Sequence, residues 1–472
     1  MATQFVSPSE IRTKFSRALS SLYQNEVPLY ASLLKAVQDV NDATLAANPS
    51  LKAQLIATDE LDRLSLERHG AVRLGTADEL RTVGRLFRVM SMHPVGYYDL
   101  GSAGVPVHAT CFRPAAAAEL SRNPFRVFAS LLRTELISSP APRALSREVL
   151  ARRKIFSDRA VRLVRLCEEQ GGLAGAEADE FVGEAVKTFG WHPTAVVTAG
   201  EYDVLARENP LLADVVAFPG PHVNHLTPRT LDIDEVQRAM LRARIPGKDA
   251  IEGPPLRKCP ILLRQTSFKA LEEGVRFPTE RTGGRVSVDE AIEVGGVEGV
   301  HKARFGEIEQ RGAAVTRKGL DMYDGMLRGA RSRGLDAGKK GYKEAFATYP
   351  DTWKELRREG LVWCHYTATG KKGLETGDYE GLTRGELEEK LVEDGFVTYE
   401  PLVYEDFLPV SAAGIFQSNL GVKGNDVSKE AGKGDQEGFQ KALGDLVIMD
   451  QMKLYEKSQA ESMDKCLAHF GL

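Results

Sequence analysis

The run Phe305-Gly306-Glu307-Ile308-Glu309-Gln310-Arg311-Gly312 limits this chain more than any other stretch of it. As a strand it places Phe305, Glu307, Glu309 and Arg311 on one face, with Gly306, Ile308 and Gln310 on the other. A strand buried on both sides should not carry two carboxylates and an arginine on one face unless something there consumes the charge. A bound cation would do so.

Two other segments can complete such a site. His69 lies in Arg68-His69-Gly70-Ala71-Val72-Arg73-Leu74-Gly75, and His225 in Pro219-Gly220-Pro221-His222-Val223-Asn224-His225-Leu226-Thr227-Pro228. Two neutral imidazoles and one carboxylate form the facial triad, which leaves three adjacent positions of an octahedral Fe(II) open for substrate and oxygen. The three segments are far apart in sequence, so spacing alone does not select them, and both Glu307 and Glu309 remain candidates for the carboxylate. His222 competes with His225, because His222-x-x-His225 could present both rings on one helical turn. Pro221 and Pro228 argue against a regular helix there, which favours one ligand with a neighbour that supports it.

The chain has 472 residues, enough to bury a large core in one elaborated domain or two to three smaller ones. With 42% hydrophobic and 27% charged residues, its composition is that of a globular protein rather than a disordered one. A net charge of -4 leaves no electrostatic footprint for nucleic acid or an anionic membrane, so small-molecule chemistry fits better. The sequence has no apolar run of about 18 residues and no basic-then-apolar leader at Met1-Ala2-Thr3-Gln4-Phe5, so a cytoplasmic location is expected. Five scattered cysteines without a CxxC pair indicate neither a zinc ribbon nor a disulfide framework.

Ser7-Pro8-Ser9-Glu10 combines a capping serine, Pro at the first helical position and Glu at the third, so a helix opens the chain with Ile11, Phe15, Leu19 and Leu22 on one face. A second helix is expected from Pro28 to Ala47, with Pro49 marking its exit, and then the strand carrying His69. Residues 115–190 read as a helical insertion. A Gly- and Pro-rich stretch, Phe218 to Pro228, delivers His225, and Asp232 caps a short helix to Arg244. Residues 261–268 and 303–315 read as strands. The chain then reads as helical to about residue 360, with strand-like segments at Gly360–Tyr366 and Phe396–Tyr399. Gly421 to Gly438 reads as a mobile loop. The expected partition is a helical segment at 1–50, a metal-binding β core at 51–320, and a helical region at 321–472 whose segment 397–420 returns to the site.

Six segments carry a resemblance: those around His69, His225 and Glu307, together with His93-Pro94-Val95-Gly96-Tyr97-Tyr98-Asp99, His108-Ala109-Thr110-Cys111-Phe112-Arg113-Pro114 and Tyr404-Glu405-Asp406-Phe407-Leu408-Pro409-Val410-Ser411-Ala412-Ala413-Gly414. Their wording resembles the 2-oxoadipate dioxygenase/decarboxylase family, also called hydroxyglutarate synthases, from about residue 65 to 420. The resemblance implies an α+β fold with a vicinal-oxygen-chelate-like curved β-sheet core, built from paired βαβββ modules, with peripheral and inserted helices. It implies an Fe(II) enzyme that converts 2-oxoadipate and O2 to D-2-hydroxyglutarate and CO2 in lysine breakdown. A more distant likeness, to the Phe-x-Glu-Ile-Ile-Gln-Arg strand of 4-hydroxyphenylpyruvate dioxygenase, places the iron-binding glutamate at Glu307 and leaves Glu309 as its support.

On that reading His69, His225 and Glu307 hold the metal, and the 2-oxo acid chelates it through its C1 carboxylate and keto oxygen, next to His69 and His225. Arg73 shares a strand face with His69 and is expected to capture the distal carboxylate, although it could instead pair with an acid such as Glu309. Val410 and Ser411 are expected to contact substrate. His93, Tyr97, Tyr98, His108, Arg113, Gln265 and Lys269 either line the site or support it. Two other classes suit the same residues: a glyoxalase-type metal-dependent lyase or isomerase, and a non-catalytic metabolite-binding protein on the same scaffold.

Overall fold

The computed structural model describes residues 4–101, 104–281, 286–287, 296–408 and 434–472. The helix Pro8–Glu26 starts as expected, with the Ser7 hydroxyl accepting from the Glu10 amide and Pro8 in the first turn. It buries Ile11, Phe15, Leu19 and Tyr23, spaced four apart. Phe15 meets Phe87, Phe125 and Phe189 with ring centroids 6.1 to 6.3 Å apart. Truncating a fully buried Phe of this kind typically costs about 3–5 kcal/mol, so Phe15→Ala would open the core at that junction. Helix Pro28–Ala47 follows with the expected bounds. Pro49, however, opens a further helix, Pro49–Ala57, rather than leading to a strand, because a proline in the first turn loses no hydrogen bond.

Strand β1 is Glu67–Leu74, β2 His93–Asp99, β3 Val107–Arg113, β4 Arg126–Leu132 and β5 His225–Pro228. They form one sheet in the order β2-β3-β4-β1-β5, with β1 parallel to β4 and antiparallel to β5. Helix Ala77–Val89 connects β1 to β2, so β1 to β4 make a βαβββ module. Strand β4 lies inside the stretch read as helical from sequence. Its short apolar run, Arg126-Val127-Phe128-Ala129-Ser130-Leu131-Leu132, is buried at every position and has no period that separates strand from helix.

Later strands are β6 Leu263–Ser267, β7 Glu272–Pro278, β8 Gly296–Lys302 and β9 Glu307–Arg311. The second module runs from β5 through helix Ile233–Arg242, which Asp232 caps. A bridge then joins Gly247 to Phe268, and β6 pairs with β9, which lies parallel to the end of β5 at the Arg229–Glu309 bridge. The antiparallel pair β7 and β8 is inserted between β6 and β9. The curved sheet and paired modules meet the α+β, vicinal-oxygen-chelate-like expectation.

One face of the first sheet, with Val72, Leu74, Phe112, Val127, Ala129, Leu131 and Leu226, packs in the main core with Leu80, Val83, Leu86 and Phe87 of the connecting helix. Alternation therefore sends His69, Ala71 and Arg73 to the other face.

The chain divides into two compact units that cut across the expected linear partition. Unit one is Met1–Lys248, Gln265–Gln310 and Phe407–Met449, and unit two is Asp249–Arg264, Arg311–Asp406 and Asp450–Leu472. The N-terminal helices belong to the first because they supply its core. In unit two, β10 (Cys364–Ala368) and β11 (Val397–Pro401) pair antiparallel, and helix Gln451–Phe470 bonds the Cys364 and Tyr366 amides through Gln459 and Ser462. No helix among the described residues is long and apolar enough to cross a membrane.

Candidate metal centre

Register brings the site together. Across β1 and β5, Thr227 stands opposite His69 and His225 opposite Ala71, so His225 projects between His69 and Arg73 on their face. Glu307 is the first residue of β9. The preceding Gly306 is required there, since a Cβ at that position would lie 2.3 Å from the Phe268 ring and 2.7 Å from Leu33. The Tyr23 hydroxyl lies 2.8 Å from the Phe305 carbonyl and 2.9 Å from that of Asn224, tying the first helix to both segments that end in site residues.

His69, His225 and Glu307 are all buried, with ligating atoms within 4.8 Å of one another. Glu307 Oε1 is 2.8 Å from His69 Nε2 and 4.0 Å from His225 Nε2. Adjacent ligands of one cation are separated by roughly 3 Å when each bond is about 2.1 Å, so the three groups can share an ion. Glu307 Oε2 and His225 Nδ1 are buried without a hydrogen-bond partner, and a carboxylate oxygen left bare in this way is what a cation would satisfy. Burial pushes the His225 imidazole down to about 3, against the opposing pull of Glu307, so the ring is neutral and can act as a ligand. Burial would raise the Glu307 carboxyl, but His225, His69 and Lys248 outweigh it and hold it below its ordinary value.

The surrounding groups fix these ligands. His69 Nδ1 lies 3.0 Å from Glu309 Oε2, and Arg68 Nε lies 3.5 Å from Glu309 Oε1. Gln265 Nε2 donates to Glu307 Oε1 at 2.8 Å. The Thr227 hydroxyl is 3.3 Å from the same oxygen and 3.0 Å from His69 Nε2. Phe407 packs edge-on against His69 at 4.7 Å and against Phe128 at 5.1 Å, and Phe128 meets Tyr98 at 5.3 Å, forming an aromatic wall. Thr227 was overlooked in the sequence, although the alternation His225-Leu226-Thr227 places it on the ligand face.

The other predicted residues have partners of their own. Arg73 ion-pairs with Asp214 rather than with Glu309. His222 Nε2 lies 3.0 Å from Asp214 Oδ1, so its partner is that carboxylate. The Pro221-containing loop holds it there, as the expected break in helix allows. Tyr97 and His108 contact each other at 3.3 Å and both pack on Phe439. The Arg113 guanidinium bonds the Pro114 carbonyl, His93 is half-buried at the start of β2, and Lys269 is exposed. Val410, Ser411 and most of Gly421–Gly438 lie outside the described residues; helix Gln436–Leu443 begins at the end of that stretch.

Paired βαβββ modules that bring two histidines and a glutamate into one buried cluster define a vicinal-oxygen-chelate-like protein with a candidate metal centre. The sequence matches the 2-oxoadipate dioxygenase/decarboxylase family over residues 15–419, and the chain belongs to that family of enzymes. A Pseudomonas putida protein named 2-oxoadipate dioxygenase/decarboxylase is 50% identical over 100% of this chain and 99% of its own. An Escherichia coli protein of the same name is 48% identical over 98% of each chain. The hydroxyglutarate synthase of Pseudomonas putida, solved in complex with 2-oxoadipate, superposes with a TM-score of 0.85 over 100% of both chains at 48% identity.

Proposed function

We propose that this chain is an Fe(II)-dependent dioxygenase and decarboxylase that converts 2-oxoadipate and O2 to D-2-hydroxyglutarate and CO2 in lysine breakdown. The carrying observation is the buried cluster of His69, His225 and Glu307 with its bare carboxylate oxygen, in a chain about half identical to proteins named for that activity. The reaction balances without a second reductant. C1 leaves as CO2, one oxygen atom of O2 enters the new carboxylate, and the other becomes the 2-hydroxyl.

Fe(II), held by His69, His225 and Glu307, would supply oxygen activation and a Lewis-acidic anchor for the 2-oxo acid. The protein's own residues do the rest. Thr227 and Gln265 hold Glu307 Oε1, Glu309 orients the His69 ring, and Phe407, Phe128 and Tyr98 keep water from one side of the centre. Arg73, on the face of His69, receives the distal carboxylate and so selects a diacid.

The test is anaerobic reconstitution with Fe(II), followed by oxygen uptake and product analysis with a panel of 2-oxo acids. Oxygen-dependent release of CO2 from 2-oxoadipate is expected. Turnover without oxygen would place the chain with the glyoxalase-type lyases, and binding without turnover with the silent metabolite-binding proteins.

A further inference from the structure

A second buried cluster is not used by the proposed reaction. Asp214, His222 and His301 bring their ligating atoms within 4.8 Å of one another, and Asp214 is 3% exposed. Asp214 Oδ1 lies 2.9 Å from His301 Nε2 and 3.0 Å from His222 Nε2. Its Oδ2 takes Arg73 Nη1, together with Asn224 Nδ2 at 3.3 Å. By donor type alone this is a cation site. The guanidinium of Arg73 already places a positive charge on the same carboxylate, and a divalent ion would have to sit against it.

The surroundings are those of a clamp. The Tyr202 hydroxyl lies 2.8 Å from His301 Nδ1, and when it donates there, the imidazole proton is on Nε2 and points at Asp214. Trp191 packs against both imidazoles, with centroids 4.8 Å from His222 and 5.9 Å from His301, so neither ring can turn away freely. Asp214 itself is fixed in helix Pro210–Val216.

We infer that Asp214, held by His301 and Asn224 with His222 against it, is a positioning residue that sets the Arg73 guanidinium in the orientation that receives the distal carboxylate of a 2-oxo diacid. This rests on the reading of Arg73 given above. An arginine on a flexible stem must be ordered before its planar fork can meet a carboxylate. A carboxylate that holds Nη1 beforehand removes that ordering step from substrate binding. Arg73 also stands on the strand face of His69, so the clamp sets the distance between metal and anion receptor.

The experiment compares native holoenzyme with Asp214→Asn, Arg73→Ala and the double variant, measuring iron content and kcat and KM separately on 2-oxoadipate and on the monoacid 2-oxohexanoate. Asp214→Asn should lose roughly 10- to 100-fold in kcat/KM on the diacid, mainly through KM. Iron content and monoacid turnover should stay near native, and the double variant should be no worse on the diacid than Arg73→Ala. His301→Asn, too short to reach Asp214, should give the same selectivity in weaker form if Asp214→Asn is insoluble. Equal losses on both substrates, full additivity with Arg73→Ala, or a second metal equivalent that Asp214→Asn removes would overturn the inference. If Arg73→Ala is itself unselective, the reading of Arg73 fails and takes this one with it. A selective Arg73→Ala beside an unselective Asp214→Asn sinks the inference alone.

Discussion

His69 Nδ1 lies 3.0 Å from Glu309 Oε2, on the side of the ring away from Glu307. One imidazole thus stands between two glutamates of the same strand face, with Nε2 left toward Glu307. The two carboxylates should differ sharply in what their loss does. His69→Ala, His225→Ala and Glu307→Ala are each expected to abolish Fe(II) retention and turnover. Glu309→Ala should weaken metal affinity by about 10- to 100-fold and retain measurable activity at saturating iron. Elemental analysis of the two glutamate variants side by side decides it; iron lost from Glu309→Ala and kept by Glu307→Ala would reverse their roles.

Gln265 and Thr227 converge on Glu307 Oε1 at 2.8 and 3.3 Å. Removing either donor leaves that oxygen less firmly held, so Gln265→Ala and Thr227→Val should each raise the Fe(II) dissociation constant by about tenfold or more. Secondary structure and melting behaviour should stay close to native. Unchanged iron affinity in both variants would refute the positioning role.

Because the keto acid is both reductant and target, one O2 should disappear for each CO2 released, with no stimulation by added 2-oxoglutarate. Simultaneous oxygen-electrode and CO2 measurements test this. A requirement for 2-oxoglutarate would move the chain to a different oxygenase class.

Burial would raise the Asp214 carboxyl, but the charge of Arg73 and the bonds from His222 and His301 hold it well below the usual carboxylate range. Its contribution to stability is therefore present above the unfolded value, about 3.9, and is lost as pH falls below it. Arg73→Ala leaves a buried charge without its strongest partner, so it should destabilise by about 3–5 kcal/mol near neutrality. The gap from native should narrow as pH drops below about 4, where the variant's Asp214 can be protonated. Denaturant melts of both proteins at pH 7 and at about pH 3 measure it; a gap independent of pH would assign the loss to packing instead.

Much of the site was legible where chemistry and local pattern coincide. Glu307 and Glu309 announce themselves because two carboxylates on one strand face need a reason, and the caps at Ser7 and Asp232 are set by neighbours three residues away. Strand β4 was not legible, because its short run, buried at every position, lacks a period that separates strand from helix. The Arg73–Asp214 pair spans 141 residues, and Asp214 lies in a helix whose sequence, Pro-Leu-Leu-Ala-Asp-Val-Val, gives no hint of a charged partner. The division into units was hidden for a similar reason, since unit one is assembled from three separated segments.

That assembly has a consequence for the order in which the protein can be completed during synthesis. All three candidate ligands have been made once Glu307 is joined, yet the ring that packs on His69 comes from Phe407, about a hundred residues later. The edge of the first sheet also waits for Met449, whose amide bonds the Pro94 carbonyl and whose carbonyl accepts from Gly96. A ribosome-bound chain that stops before residue 407 therefore carries the ligands with one wall of the centre absent, and that wall is added only when Phe407 has emerged.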